Sequence, residues 1–510
     1  MAALQDHIIH LANGQLSPKS STTHSDVARM VNEAVQQPSE SGIAIHFHGG
    51  LVSEKSGREM AARMFDVYED AGSYPLFFIW ESGLFEAIGN NLEDISKEKI
   101  FHEFVKKVTE WAIKKLPAGI GFKGASGAAV NELELRQQFD EWFDGTRTDL
   151  PDAVESTSGV SQSAAQATLK SVLFDQTSLE TEVQLSIEGD FGFQDAVYEA
   201  FNGLHDGGQT HPATTKGAVG TTASSTSLIS PDAADKLFDR NPVKTKGFTL
   251  VSWYKAAKMV ANIVINVAKR YKQGRAHGLY VTVVEETLRS LYLDKVGTLI
   301  WNQMKKDTGD AFLPGENHAG TALLTELQKH LKAGAVLPRI TLIGHSTGAI
   351  YICNFIEAAS QMLPNIKFDV VFLAPAVTYE RFAATVANHA GSIGNFRSFG
   401  MTDDWESNDK LVPILYIRSL LYFVSGLLEE STDEPLVGME RFLRESTTFT
   451  SAKFPAIARC CNFYRNFQEG LVWSPDTVGD GTQTSSAKHG DFDNDEATLK
   501  SLQWLLRHGF

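Results

Sequence analysis

A serine between two glycines is the clearest candidate for chemistry in this chain. Residues 344–348 read GHSTG, with an apolar run before them and apolar residues at helical spacing after them. A serine at a sharp turn from strand to helix has its hydroxyl raised above the sheet, and flanking glycines leave room for the strained backbone. The backbone N–H of Thr347 then lies at the start of the helix, where it can donate to an oxyanion. We therefore predict that Ser346 is a nucleophile, with a merely structural turn as the alternative.

A serine hydroxyl becomes a strong nucleophile only beside a base. Among the 15 histidines, His489 is the best candidate, since it lies in a loop rich in glycine and aspartate just before a C-terminal helical pattern. A surface histidine without a role is the alternative. His508 falls at the end of that helix, where a positive charge complements the helix dipole, and we assign it no catalytic role.

The base in turn needs a carboxylate, which holds its imidazole in the correct tautomer and comes between serine and histidine in chain order. A predicted strand, Phe396 to Met401, opens into the acidic loop TDDWESND. Asp403, three residues after Gly400, is our choice. Asp404 and Asp409 are close competitors.

A second oxyanion donor is expected from the segment IHFHGGLV. Gly49 and Gly50 follow a strand-like run, and residues without side chains let a backbone N–H approach a tetrahedral intermediate. An ordinary glycine turn is the alternative. His46 and His48 share one face of this strand and could suggest a metal pair, but no convincing third ligand is present, so we predict no metal and no other cofactor.

These residues need a sheet to position them. Strand-like runs cover Gly42 to His48, Pro75 to Trp80, Arg339 to Gly344 and Phe368 to Pro375, and helical patterns such as Ile100 to Trp111 lie between them. This alternation predicts an α/β fold with a mostly parallel sheet and helices on both faces.

The alternation stops between about Ala118 and Leu337. Helical patterns and two stretches rich in small polar residues, from Glu155 and from Gly207, indicate a large, mainly helical insertion with flexible loops. We divide the chain into an N-terminal core part (1–117), the insertion or cap (118–335) and a C-terminal core part (336–510). The segment GIGFKG, Gly119–Gly124, matches a phosphate-binding pattern but follows a helix, so we do not expect a nucleotide there.

Composition limits the classes of partner. The chain has 510 residues, with 46 lysines and arginines against 62 aspartates and glutamates, and a formal charge of −16 makes nucleic acid an unlikely partner. Three cysteines without metal-ligand spacing fit a reducing compartment, and no secretory signal is visible, so we expect a cytoplasmic protein. The longest apolar run, residues 411–430, contains Arg418 and is interpreted as a buried helix rather than a membrane span.

Taken together, these segments resemble the α/β-hydrolase superfamily. The matching segments are HFHGG as the oxyanion loop, LIGHSTG as the nucleophile elbow, the loop at Asp403, and KHGDF as the histidine loop, in the order Ser, Asp, His. They cover roughly residues 40–85 and 336–510. The resemblance implies serine-based acyl transfer without a cofactor, although the insertion is earlier and longer than the common cap.

We therefore expect a serine esterase or lipase-like hydrolase acting on a small-molecule or lipid acyl substrate. A serine peptidase, or a binding or signalling protein that kept the fold without catalysis, are the alternatives. Helix-forming residues around Lys255, Lys258, Lys269, Arg270 and Lys272 combine basic and apolar character, which leaves peripheral contact with a membrane open. The sequence indicates neither the natural substrate nor the oligomeric state.

Overall fold

The computed structural model describes residues 4–16, 22–36, 40–50, 53–80, 84–117, 131–154, 175–206, 227–238, 250–293, 296–444 and 448–510. The Gly119–Gly124 segment and almost all of the two stretches rich in small polar residues lie outside them.

A seven-stranded sheet forms the centre of the fold, and every adjacent pair of strands is parallel. The strands are β1 (Ile8–Leu11), β2 (Ile43–Phe47), β3 (Tyr74–Trp80), β4 (Ile340–His345), β5 (Phe368–Leu373), β6 (Ile393–Met401) and β7 (Leu471–Ser474). The predicted α/β class is confirmed. Five strands lie where the sequence predicts them, while β1 and β7 have only four residues each and were not predicted.

Helices alternate with these strands and fill the long stretch between β3 and β4. They are α1 (His24–Gln36), α2 (Glu54–Asp70), α3 (Leu84–Ile95), α4 (Lys99–Lys115), α5 (Glu132–Phe143), α6 (Gln176–Glu188), α7 (Phe191–Asp206), α8 (Pro231–Leu237), α9 (Leu250–Gln273), α10 (Leu279–Leu291), α11 (Thr298–Asp310), α12 (Ala319–Lys332), α13 (Gly348–Met362), α14 (Tyr379–His389), α15 (Asp403–Glu406), α16 (Leu420–Phe423), α17 (Pro455–Tyr464) and α18 (Glu496–His508).

The strand order is β1-β3-β2-β4-β5-β6-β7. The chain runs from β2 to β3 on one side and then returns to β4 on the other, so the direction of winding reverses between β2 and β4. In open parallel sheets, ligands bind outside the carboxyl ends of the strands at such a reversal. Gly49 follows β2 and Ser346 follows β4, which places both at this position.

Apolar side chains cover both faces of the sheet, as a parallel sheet requires. On one face, α2 and α18 pack through a cluster that includes Met64, Phe77, Ile343 and Leu505. On the other face, Tyr351 of α13 stacks on Phe47 with ring centroids 5.3 Å apart. The strand ends that carry the candidate residues are therefore fixed by packing from both sides.

The chain divides into two compact units. Unit 1 comprises Met1–Ala87, Leu299–Leu411 and Arg418–Phe510 and holds the whole sheet, while unit 2 comprises Ile88–Thr298 and Val412–Ile417. Within unit 2, α9 packs against α4, α6 and α10. Unit 2 differs from the predicted insertion at 118–335 at both ends. It begins earlier and includes α4, whereas α12, which lies inside the predicted insertion, belongs to unit 1 and packs on α1.

The longest apolar run is shared between the units. Its part from Leu420 to Leu428 is helical and buried in unit 1, as predicted, whereas Val412–Ile417 is not helical and belongs to unit 2. In the part of the chain that the structure describes, no helix combines the length and apolarity needed to cross a membrane.

Candidate active site

Ser346 lies at a strained corner between β4 and α13. Its φ is +53°, a conformation that costs a residue with a side chain about 1–3 kcal/mol. Two backbone hydrogen bonds hold it there: the Ser346 N–H donates to the Leu373 carbonyl over 2.8 Å, and the Ser346 carbonyl accepts from the Ala376 N–H over 3.0 Å. The end of the neighbouring strand β5 thus fixes the serine in the orientation that a nucleophile elbow requires.

The two glycines around Ser346 are required by close backbone contacts. A Cβ at Gly348 would lie 2.1 Å from the carbonyl oxygen of Phe47 in β2. A Cβ at Gly344 would lie 2.7 Å from the backbone carbonyl of Gly348. Since real Cβ atoms do not approach backbone this closely, the elbow forms only with glycine at both positions.

His489 meets the serine hydroxyl directly. Its Nε2 lies 2.9 Å from Oγ of Ser346, and both side chains are buried. Burial lowers the pKa of His489 well below its usual value, and the positive charge of His345 lowers it further. A neutral imidazole with Nε2 unprotonated can accept the serine proton, so His489 has the geometry and the protonation state of a general base.

Asp409 contacts the same histidine. Its Oδ2 accepts the backbone N–H of His489 over 2.9 Å, and burial raises the pKa of this carboxyl. The ring Nδ1 of His489 has no hydrogen-bond partner among the described residues. Asp409 is therefore bound to the backbone of the residue whose ring Nδ1 lacks a partner in the described part of the chain.

Asp403 makes different contacts. It begins α15, and its Oδ1 accepts the hydroxyl of Tyr422 over 2.7 Å while Oδ2 lies 3.6 Å from Nη1 of Arg444. Its backbone N–H donates to Glu440 over 2.8 Å. Asp404, the other competitor, is exposed. Of the three candidate acids, Asp409 is the one for which the structure gives a contact with His489.

Gly49 and Gly50 lie beside the elbow, because β2 and β4 pair in a register that sets Phe47 opposite Gly344. A Cβ at Gly49 would be 3.3 Å from Cβ of Ser346, and one at Gly50 would be 2.7 Å from Oγ1 of Thr347. Within the described ranges, we find no acceptor for the backbone N–H groups of Gly49, Gly50 and Thr347. These N–H groups can therefore serve an oxyanion near Ser346.

His48 fixes the glycine loop rather than a metal. Its Nδ1–H donates to the Gly49 carbonyl over 2.6 Å, and its Nε2 accepts the backbone N–H of Trp80 over 3.2 Å. Burial lowers the pKa of His48 to about 4, so the ring is neutral with the proton on Nδ1. Nδ1 of His46 lies 2.7 Å from the Tyr68 hydroxyl, and burial lowers the pKa of His46 to about 3. No cluster of three or more metal-ligating side chains occurs in the described ranges.

His345 and Asp493 are two site residues that sequence reasoning missed. Nε2 of His345 lies 2.9 Å from the carbonyl oxygen of His489, and Nδ1 lies 3.7 Å from Oδ2 of Asp493. Both side chains are buried. The available signal in the sequence was their position, since His345 directly precedes Ser346 and Asp493 follows His489 by four residues.

The arrangement joins a strained serine, a neutral histidine and backbone N–H groups for which the described residues offer no acceptor, at the carboxyl ends of β2 and β4. Such groups can transfer a proton from serine and stabilise negative charge on an oxygen attached to the attacked carbon. Searches against protein families, curated proteins and solved structures each find no match for this chain.

Proposed function

We propose that the protein is a serine hydrolase that cleaves an ester or another acyl bond through an acyl-enzyme. The observation that carries the proposal is the 2.9 Å contact between Oγ of Ser346, at φ +53°, and Nε2 of His489. A serine used only as a turn residue needs neither the strained conformation nor a buried histidine at its hydroxyl. The resemblance to α/β-hydrolases, which rests on the same residues, gives the same expectation.

In the proposed reaction, His489 takes the proton of Ser346 as Oγ attacks the acyl carbonyl. The backbone N–H groups of Thr347 and of Gly49 or Gly50 stabilise the resulting oxyanion. His489 then gives its proton to the leaving group, so that the acyl-enzyme forms. Water activated by His489 attacks the acyl-enzyme, the ester bond to Ser346 breaks, and the free acid leaves.

We assign the acid of this triad to Asp409 rather than to Asp403. Asp409 already binds the backbone N–H of His489, whereas Asp403 is occupied by Tyr422, Arg444 and Glu440. In the proposed triad, the Asp409 carboxylate accepts the Nδ1–H of His489. This carboxylate would stabilise the imidazolium that forms during each proton transfer.

The proposal covers both small esters and lipids as substrates. The proposed membrane-contact helix is α9, and its apolar residues Met259, Val260, Ile263, Val264 and Val267 are buried by packing in unit 2. These side chains are thus not available on the surface, and we do not extend the proposal to a membrane.

The experiment is hydrolysis of p-nitrophenyl esters of increasing acyl length by the full chain and by two variants. We expect Ser346→Ala and His489→Ala to abolish turnover above background with unchanged circular dichroism. Ser360→Ala is a matched control, because Ser360 lies on α13, the helix that follows the elbow, and its hydroxyl donates to the Glu357 carbonyl. Unchanged hydrolysis by Ser346→Ala would overturn the proposal, and cleavage of peptides alone would reassign it to a peptidase.

A further inference from the structure

A buried pair of titratable groups lies beside the candidate base and has no role in the steps above. His345 is the last residue of β4, and the residue is 5% exposed. Asp493 is 7% exposed and follows the turn His489–Asp491. The rings of His345 and His489 stack with their planes 30° apart and their centroids 5.5 Å apart.

We propose that His345 and Asp493 form a positioning pair that holds His489 against Ser346 and adjusts its basicity. This inference rests on the proposed function. His345 precedes the nucleophile by one residue, while both of its partners, the His489 carbonyl and Asp493, belong to the segment that carries the base. The pair therefore joins the strand of the nucleophile to the turn of the base at two points.

The two contacts fit a protonated imidazole. Nε2 of His345 faces a carbonyl oxygen at 2.9 Å, and Nδ1 faces a carboxylate at 3.7 Å. A neutral imidazole has one N–H, whereas the imidazolium has two and can satisfy both oxygens. Asp493 counteracts the effect of burial and raises the pKa of His345, while His345 lowers the pKa of Asp493. Each partner thus favours the charged form of the other.

This charge acts on the base. The positive charge of His345 lowers the pKa of His489, and the negative charge of Asp493 opposes that effect more weakly. Other charged or titratable groups also face this cluster, from β2, from α2 and from the loops around the base: His46, His48, Arg63, Tyr68, Asp409 and Asp491.

A variant that keeps the hydrogen bond but loses the charge separates these effects. His345→Gln keeps an N–H donor for the His489 carbonyl and removes the positive charge. The pKa of His489 should then rise. On acidification, the ring would become protonated, and so stop acting as a base, at a higher pH than in the wild type. We expect the acidic limb of kcat/KM for p-nitrophenyl acetate to move to higher pH, while the plateau stays within about tenfold, because the geometry is retained.

Asp493→Asn tests the other half of the pair. Without the carboxylate, His345 should lose its proton at a lower pH, but the neutral ring keeps one N–H for the His489 carbonyl. We therefore expect the acidic limb of kcat/KM to move to higher pH here as well, with the plateau within about tenfold of the wild type.

His7→Gln is the matched control. His7 is also buried and hydrogen-bonded to a backbone carbonyl, that of Pro75 at 2.8 Å, but it lies at the opposite end of the sheet from the elbow. We expect its pH profile to match that of the wild type. Circular dichroism and thermal melting of all three variants identify any that fail to fold.

A second readout does not depend on turnover. In protein labelled with ¹³C at histidine, the His489 signal is assigned by its loss in His489→Gln and titrated by NMR. We expect a higher pKa for His489 in His345→Gln and an unchanged one in His7→Gln. Coincident titrations and coincident pH profiles for the wild type and His345→Gln would overturn the positioning pair. Absence of hydrolysis by the wild type would instead overturn the proposed function, and the titration would still decide on the pair.

Discussion

Ser346 shows how a single residue can be held in an unfavourable backbone conformation. Its positive φ is maintained by hydrogen bonds to Leu373 and Ala376, which belong to the end of β5 and the turn after it. The cost of the conformation is therefore offset by backbone contacts of the sheet and not by the side chain, which stays available for proton transfer to His489.

The assignment of the triad acid is a prediction at this scale. We expect Asp409→Asn to lower kcat by about 10²–10⁴-fold, because an amide at this position cannot stabilise the imidazolium of His489. Asp404→Asn, in the same loop but exposed, is the control and should leave kcat unchanged. We compare hydrolysis by Asp409→Asn, Asp404→Asn and Asp403→Asn at equal folded fraction. A severe loss in Asp403→Asn with none in Asp409→Asn would return the acid to Asp403.

The sequence indicates some site residues and not others for a physical reason. Ser346 and the glycines near it are recognisable because the turn itself demands those residue types. The choice among the aspartates after β6 depends on where the loop folds back, and the pairing of His345 with Asp493 depends on contact between distant segments. Neither leaves a local pattern in the chain.

At the scale of elements, the reversal of strand order between β2 and β4 brings the candidate groups together. Long buried strands were predictable from their apolar runs, whereas β1 and β7 are too short to show one. The helical spacing of residues 283–304 spans parts of two helices, α10 and α11, so apolar spacing indicates helices but not where they end.

The crossing of α13 over β2 makes a prediction about the elbow. Gly348→Ala places a methyl group 2.1 Å from the Phe47 carbonyl, so we expect lower thermal stability, by about 1–3 kcal/mol or more, and loss of ester hydrolysis. Gly89→Ala, in α3, meets no atom within 4 Å and should instead stabilise the protein by about 0.4–1 kcal/mol. Full activity in Gly348→Ala would show that the elbow is not built as described.

At the scale of the whole molecule, unit 2 has its own buried polar centre. Arg270 of α9 pairs with Glu285 of α10, which also accepts hydrogen bonds from His277 and from the Tyr416 hydroxyl. Tyr416 belongs to residues 412–417, which lie far along the chain from the rest of unit 2. This network therefore ties that short segment into the helical unit, an arrangement that composition and periodicity do not show.

Removing the cation of this network should destabilise unit 2. Burial alone would raise the pKa of Glu285, but Arg270 and His277 hold it well below its usual value. We expect Arg270→Met to cost about 3–5 kcal/mol in denaturant unfolding, because it leaves a buried charge without its main partner. Lys258→Met, exposed on the same helix, is the control and should change stability by less than about 0.5 kcal/mol.

The pH dependence of this effect has a definite sign. Because the pKa of Glu285 is lower in the folded state, its contribution is complete above the unfolded value of about 4.3 and is lost as the pH falls. The difference between the wild type and Arg270→Met should therefore shrink on acidification from neutral pH. A difference that is independent of pH would contradict the assigned ion pair.

Labelling of the purified chain by a fluorophosphonate probe tests the central claim most directly, since the probe reacts only with an activated serine. Intact mass and peptide mapping should show a single adduct on Ser346 in the wild type and in Ser360→Ala, and none in Ser346→Ala or His489→Ala. An adduct on another serine, or equal labelling of the wild type and His489→Ala, would contradict the proposal that His489 activates Ser346.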